Sequence, residues 1–342
     1  MNLSGLPLEE LAELIAPLPR YRVAQIIKWL SLGVSSFSVM SNLPLPLRED
    51  LSRRFTLRPE TTHTIFRGED GTVKIKICFS DGAEIEAVLL ADEQESAAGV
   101  RYTICLSTQA GCPAGCVFCK TGTKFLRNLD SSEIIEQFFL LREVSLIPIS
   151  NIVVMGMGEP LLNLPELRRA LAVITCPQGI NFSKKRITVS TCGIVNGIND
   201  LTDNGPIVRL AFSMTTADEN LRRQLMPVSA GQPLSGIKKA LRYYQEKSGE
   251  RITLELVLLG GINTRCEDAA AAAKFAKGLD AVVNLIPWNP VNGLEFQGKK
   301  LRQPSVSEVE SFARRLKSHG IKVTRRFRRG RSILGACGQL GT

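Results

Sequence analysis

Histidine is almost missing from this chain. Two occur in 342 residues, His63 and His319, and neither is near the one dense group of cysteines, which removes the commonest companion of cysteine in a structural zinc site. Long apolar runs are missing as well. No stretch of 18 apolar residues occurs, so no membrane-spanning helix and no membrane partner is expected. The N-terminal "MNLSGLPLEELAELIAPL" is acidic early and carries no basic segment ahead of an apolar one, so it does not read as a secretory signal. A reducing cytoplasm is the expected compartment, and nine cysteines there suggest metal or catalytic duties rather than structural disulfides. Acidic residues are also in deficit, 33 against 43 basic ones, for a formal charge of +10. That excess favours polyanionic partners through phosphate contacts without identifying one.

What is present is ordinary folded-protein material, 44% hydrophobic and 22% charged. "LEELAELIAPL", "RVAQIIKWLSLGV" and "LPLREDLSRRF" show the three- and four-residue apolar spacing of short helices. Between Thr61 and Leu90 the pattern changes to alternation around Asp81-Gly82, the mark of a hairpin. After Arg101 strands and helices alternate: "YTICLS", "NIVVMG", "RITVST", "VRLAFSM", "TLELVLL", "AVVNLIP" and "IKVTRRF" read as strands. A helix over "SEIIEQFFLLREV" is predicted to start behind Asp130 as N-cap with Glu133 three residues on. Such alternation implies an α/β fold with parallel pairing, an open or closed barrel, preceded by a helical unit (1–57) and a hairpin linker (58–100), with the barrel over 101–342. In such barrels the chemistry gathers at the C-terminal ends of the strands.

Cys112, Cys116 and Cys119 form a C-x3-C-x2-C array in the loop after the first barrel strand. Thiolates suit zinc or iron–sulfur clusters. A structural zinc needs four protein ligands, which only a remote cysteine could complete. Three thiolates on a four-iron cluster instead leave one iron open to a cofactor.

The array on that loop resembles the signature of the radical S-adenosylmethionine (SAM) enzymes. Around it, "CLSTQAGC", "FLRNL", "VVMGMGEPLLN", "ITVSTCGIV", "LIPWNP" and "ACGQL" are similar, in order and spacing, to the RlmN/Cfr family of adenosine methyltransferases, from about Tyr21 to the C-terminus. The resemblance implies a partial parallel (β/α)6-type barrel with an N-terminal RNA-binding accessory domain. It implies a 4Fe–4S cluster on Cys112, Cys116 and Cys119, whose open iron holds SAM and cleaves it reductively to a 5′-deoxyadenosyl radical. It further implies SAM contacts from Gly158, Glu159, Ser190, Ser213, Met214, Thr215 and Asn289. Cys337 would take a methyl group from one SAM, and a second SAM would yield the radical that activates it for addition to adenine. Cys105 would release the adduct by forming a disulfide with Cys337, and Glu86 would accept the ring proton. The implied partners are 23S ribosomal RNA, transfer RNA as a second substrate, and an electron donor such as flavodoxin or ferredoxin, with the enzyme itself a monomer. Cys78, Cys176, Cys192 and Cys266 read as packing residues. Gly335 and Gly338 flank Cys337 and read as a mobile loop, and "SKKR" at Ser183 and "TRRFRRGR" at Thr324 read as RNA contacts beside barrel loops.

Two stretches depart from the family pattern. Ser213-Met214-Thr215 stands where Ser-Leu-His is usual, and Ser332-Ile333-Leu334-Gly335-Ala336 lacks the acids usual before the carrier cysteine. "GEP" and "IPWNP" are similar to the branch that methylates adenine carbon 2, where Cfr-like proteins, which methylate carbon 8, tend toward "GEA" and "IRYNP". The rival readings are a Cfr-like activity, a radical SAM enzyme acting on another substrate, and a non-catalytic iron–sulfur RNA-binding protein. The last should have lost Cys105, Cys337 or Glu86, and all three are present.

Overall fold

A computed structural model describes residues 1–92, 101–325 and 329–341. Three helices open the chain: α1 (Leu8–Leu14), α2 (Arg20–Ser31) and α3 (Leu45–Arg54), each directly behind a proline that cannot extend a helix backwards. Val23, Ile26, Ile27 and Leu30 fall on one face of α2 and meet Leu11, Ile15 and Leu51 in a core of their own. This head is fastened to the helix that follows the first barrel strand, α4 (Ser131–Glu143). A Cβ on Gly5 would stand 2.3 Å from the Ser132 amide, so only glycine permits that approach. The Arg58 guanidinium grips the Glu136 carboxylate at 2.8 and 2.7 Å.

Among the described residues ten strands form one sheet whose spatial order is their order in the chain. The first four are β1 (Thr61–Arg67), β2 (Val73–Phe79), β3 (Glu84–Asp92) and β4 (Arg101–Cys105), paired antiparallel. The turn at Asp81-Gly82 joins β2 to β3: the Asp81 carboxylate accepts from the Ala83 amide at 3.0 Å, and Gly82 takes φ +83°. A third strand, β1, precedes the expected hairpin. Six of its seven residues are exposed, so it carries no apolar alternation by which to be read.

From β4 onward pairing is parallel, through β5 (Ile149–Val154), β6 (Ile187–Thr191), β7 (Arg209–Ser213), β8 (Ile252–Leu258), β9 (Ala281–Pro287) and β10 (Lys322–Arg325). Helices cross between them: α4, α5 (Leu164–Thr175), α6 (Val195–Asn204), α7 (Glu219–Leu225), α8 (Leu234–Ser248), α9 (Cys266–Ala276) and α10 (Val306–Ser318). The predicted capping box of α4 is present, with Asp130 accepting from the Glu133 amide and Glu133 from the Asp130 amide, both at 2.9 Å. The fold is an α/β open barrel with a mostly parallel sheet, β1 and β10 being its two ends. Among the described residues no helix is long and apolar enough to cross a membrane.

Candidate active site

A cavity of about 550 Å³ lies within the curved sheet, lined chiefly by the C-terminal ends of β4 to β9 and the loops leaving them. Its wall contains Cys112, Cys116 and Cys119, Gly158 and Glu159, Ser190, Ser213, Thr215, Asn289, and both Cys105 and Cys337. Two candidates lie outside it. Met214 is fully buried in the core, and Glu86 is buried behind the wall.

The cysteine loop leaves β4 through a ribbon that pairs Gln109–Gly111 with Phe125–Asn128. Gly111 takes φ +83°, and a Cβ there would stand 2.2 Å from the Lys124 carbonyl. That carbonyl accepts from the Cys112 amide at 2.8 Å. Burial pushes the Cys112 thiol up to about 12 and the Cys116 thiol well above its ordinary value, with Glu159 and the neighbouring thiols adding to both shifts. Metal binding must therefore displace protons from these sulfurs. Among the described residues no three His, Cys, Asp or Glu side chains converge on one metal ion. A four-iron cluster separates its thiolates and needs no such convergence.

Glu159 spans two loops: its carboxylate accepts from the Cys192 amide at 2.7 Å and the Leu161 amide at 3.1 Å. Burial raises its pKa against those hydrogen bonds. Gly158 takes φ +107°, and a Cβ would press on Gln109 at 2.7 Å. The Ser190 and Ser213 hydroxyls meet at 3.1 Å across β6 and β7. Thr215 holds φ +60°, a strained choice for a β-branched residue. Its hydroxyl is buried with no partner, as is the Asn289 carbonyl oxygen.

Cys105 is buried at the end of β4, whereas Cys337 is exposed. The segment around Cys337 is strapped to the barrel. The Asn289 amide donates to the Cys337 carbonyl at 3.0 Å, the Lys120 amide to the Gly338 carbonyl at 2.9 Å, and the Thr121 hydroxyl to the Leu340 carbonyl at 2.7 Å. Glu86 belongs to this strap: one carboxylate oxygen meets the Lys74 ammonium and the other accepts from the Gly341 amide, each at 2.7 Å.

Several contributors were missed in the sequence. Ser107 accepts from the Met157 amide at 2.8 Å, and Gln109 from the Glu159 amide at 2.8 Å, so "STQ" braces the loop after β5. Glu255 and Asn284 line the cavity and bond at 2.7 Å, and Thr324 donates to Asn284 at 3.0 Å. A lone acid in "TLELVLL" and a lone amide in "AVVNLIP" were the available signals, since a polar side chain within an apolar barrel strand points to the lumen. Of the basic stretches, Arg325 and Arg329 line the cavity, while 326–328 fall outside the described residues. "SKKR" corrects the reading: Lys184–Arg186 immediately precede β6, which puts them at the N-terminal ends of the strands, away from the site.

Residues 106–273 match the family model described as the Radical SAM superfamily. A Treponema pallidum protein named "Probable dual-specificity RNA methyltransferase RlmN" is 45% identical over 99% of this chain and 97% of its own length. This chain belongs to the RlmN family of radical SAM enzymes. The Lawsonia intracellularis dual-specificity RNA methyltransferase RlmN is 41% identical, over 94% of this chain and 90% of its own. The crystal structure of a radical SAM methyltransferase from Sphaerobacter thermophilus superposes with a TM-score of 0.90 at 36% identity, covering 100% of this chain and 99% of that one. Membership in the superfamily carries a 4Fe–4S cluster and SAM, and the residues fit both. Three half-buried thiols on one glycine-turned loop suit the cluster. The unpartnered Thr215 hydroxyl and Asn289 carbonyl, beside the Gly158 cradle and the Glu159 carboxylate, offer the polar partners that an amino acid and ribose require.

Proposed function

We propose that the protein methylates an adenine carbon of RNA, carbon 2 rather than carbon 8, through a methyl group carried on Cys337. The observation that carries this reading is the sharing of one cavity by six cysteines: the three of the cysteine loop, Cys105, Cys337 and Cys192, which read as a packing residue from the sequence. RNA as substrate rests on relatives named as dual-specificity RNA methyltransferases, and 23S ribosomal RNA and transfer RNA are the two targets we propose from the motif resemblance. The "GEP" and "IPWNP" motifs support carbon 2.

Cys112, Cys116 and Cys119 would hold the cluster, and Gly158, Glu159, Ser190, Ser213, Thr215 and Asn289 would hold SAM, whereas Met214 is buried outside the cavity with its backbone groups already paired. When bound, these groups supply the methyl group and a carbon radical, two SAM per turnover. The chain's own residues do the rest. Asn289 fixes the Cys337 carbonyl and so the reach of its sulfur. Cys105 lines the same cavity and would form the disulfide with Cys337, the new sulfur–sulfur bond replacing the sulfur–carbon bond to the base and so freeing the product. Glu86 could accept the ring proton only once the Gly341 amide leaves its carboxylate, so in the geometry seen it anchors the tail.

Arg325 and Arg329 at the cavity suit phosphate contact. Residues 1–57 would form an RNA-binding accessory unit and 58–100 a linking extension to the barrel, 101–342. A flavodoxin- or ferredoxin-type donor, a monomeric state and a cytoplasmic location complete the reading. The test is nucleoside mass spectrometry of ribosomal and transfer RNA from cells with and without the gene. Loss of 2-methyladenosine is expected. An unchanged 2-methyladenosine level, or loss of the 8-methyl isomer instead, would contradict carbon 2.

A further inference from the structure

Arg222 has the largest fully buried side chain among the described residues. It sits on α7, whose end is tied to the cysteine loop: the Val117 amide donates to the Leu225 carbonyl at 3.0 Å, and the Val228 amide to the Ala114 carbonyl at 3.3 Å. Its Nη2 donates to the Cys192 carbonyl at 2.6 Å and its Nε to the Met214 carbonyl at 3.2 Å. The guanidinium lies over the Phe212 ring, 5.3 Å from the centroid. Nη1 is buried and has no partner. No carboxylate comes within ion-pair distance among the described residues; Glu159 and Glu219 act only at longer range, together with the Cys116 and Cys192 sulfurs.

A cation withdrawn from water without a contacting anion is costly. Burial indeed pulls its pKa down. Two carbonyls and a ring face offset part of that cost. The balance changes when Cys116 and its two companions become thiolates on a four-iron cluster. That assembly carries net negative charge, and one-electron reduction adds another negative unit.

We propose that Arg222 is the built-in counter-charge of the cluster, a positioning residue that makes the bound cluster easier to reduce and easier to hold. The inference rests on the cluster reading of Cys112, Cys116 and Cys119. A fixed cation in a low-dielectric wall favours the more negative oxidation state over the less negative one, and net charge and burial are among the levers that set such potentials. Two carbonyl hydrogen bonds alone would make Arg222 a structural pin instead. The two accounts differ in what charge without geometry achieves.

The test uses the full chain, reconstituted anaerobically, as wild type, Arg222→Gln and Arg222→Lys, with iron content measured and the reduced-cluster paramagnetic signal titrated against potential. The counter-charge account expects Arg222→Gln to titrate at a more negative midpoint than wild type, and Arg222→Lys to stay near it. Arg222→Gln holding full iron at the wild-type midpoint overturns the proposal. If Arg222→Gln cannot hold iron, Arg222→Lys decides: wild-type iron and midpoint support the charge, and failure of both variants marks a geometric pin and overturns it. A wild-type protein without a 4Fe–4S signal would instead defeat the cluster reading on which both accounts stand.

Discussion

The two thiol-bearing segments of the active site are held by opposite means. The cysteine loop is pinned mainly by backbone bonds, within itself through Cys112 to Lys124, Cys119 to Cys116 and Gly122 to Cys119. Val117 to Leu225 ties it to the end of α7, and the Trp288 indole reaches in as a side chain. A surface cluster closes its far end, where Arg127 meets Asp81 at 2.5 Å and Glu133 at 2.7 Å. Its sulfurs are withdrawn enough that burial keeps Cys112 and Cys116 protonated. The Cys337 segment leans on borrowed groups instead: Asn289, Thr121 and Glu86 each supply a side chain, and Cys337 itself is exposed. Leu334, a non-glycine, takes φ +50° three residues earlier. A metal ligand needs one unchanging position. On the proposed reaction the Cys337 sulfur would meet a methyl donor, an RNA base and then Cys105, which needs a loop that a few bonds can hold and release.

That contrast breaks most visibly at the cysteine loop. Cys116→Ala, and equally Cys112→Ala or Cys119→Ala, should abolish the oxygen-sensitive iron signal altogether, while leaving far-ultraviolet circular dichroism unchanged. Stoichiometric zinc without iron in anaerobically prepared wild-type protein would refute the cluster assignment. A smaller effect is expected at the strap. Glu86→Gln leaves the Lys74 ammonium, itself only 4% exposed, without its counter-charge, which should cost about 3 kcal/mol in denaturant unfolding. Limited proteolysis of the C-terminal segment should also quicken while iron content holds. Equal proteolysis rates in variant and wild type would show that Glu86 does not anchor the tail.

The smallest effect concerns the pin at Asp81. Hydrogen bonding to Arg127 lowers its carboxyl to about 2. Because the folded value lies below the unfolded one, the contribution is present above the ordinary carboxylate range and is lost as pH falls through about 2. Asp81→Asn keeps the turn and removes the charge. It should cost under about 1 kcal/mol at pH 7, the pair being largely exposed. Thermal unfolding at successively lower pH should show the gap between wild type and variant closing. A pH-independent gap would remove the ion pair from the account.

Much of this site was legible because each motif is contiguous and ends a strand: "CLSTQAGC", "GMGEP", "VST" and "PWNP" need only the barrel rule to be brought together. What stayed hidden depends on rotation or on distant pairing. "NLRRQL" shows two adjacent arginines, and only the seating of α7 makes Arg222 buried and leaves Arg223 exposed. "KIKI" alternates as if Lys74 faced water, yet the polar face of β2 and β3 is covered where Gly341 meets Glu86. β1 escaped because it buries almost nothing. "SKKR" was misplaced by its nearness in sequence to "TVST", although a segment ahead of a parallel strand lies at the wrong end for catalysis.

The central claim, that two thiols of unlike holding share one methyl transfer, is tested most directly by what accumulates when each is missing. Reconstituted wild type, Cys105→Ala and Cys337→Ala would be given RNA and methyl-labelled SAM, then resolved by denaturing electrophoresis and, after nuclease digestion, by mass analysis. Cys105→Ala should retain labelled RNA covalently on Cys337, because the thiol that releases it is gone. Cys337→Ala should bind SAM, reduce its cluster and transfer no methyl group. Free methylated RNA released by Cys105→Ala at the wild-type rate, or any RNA methylation by Cys337→Ala, would contradict the account.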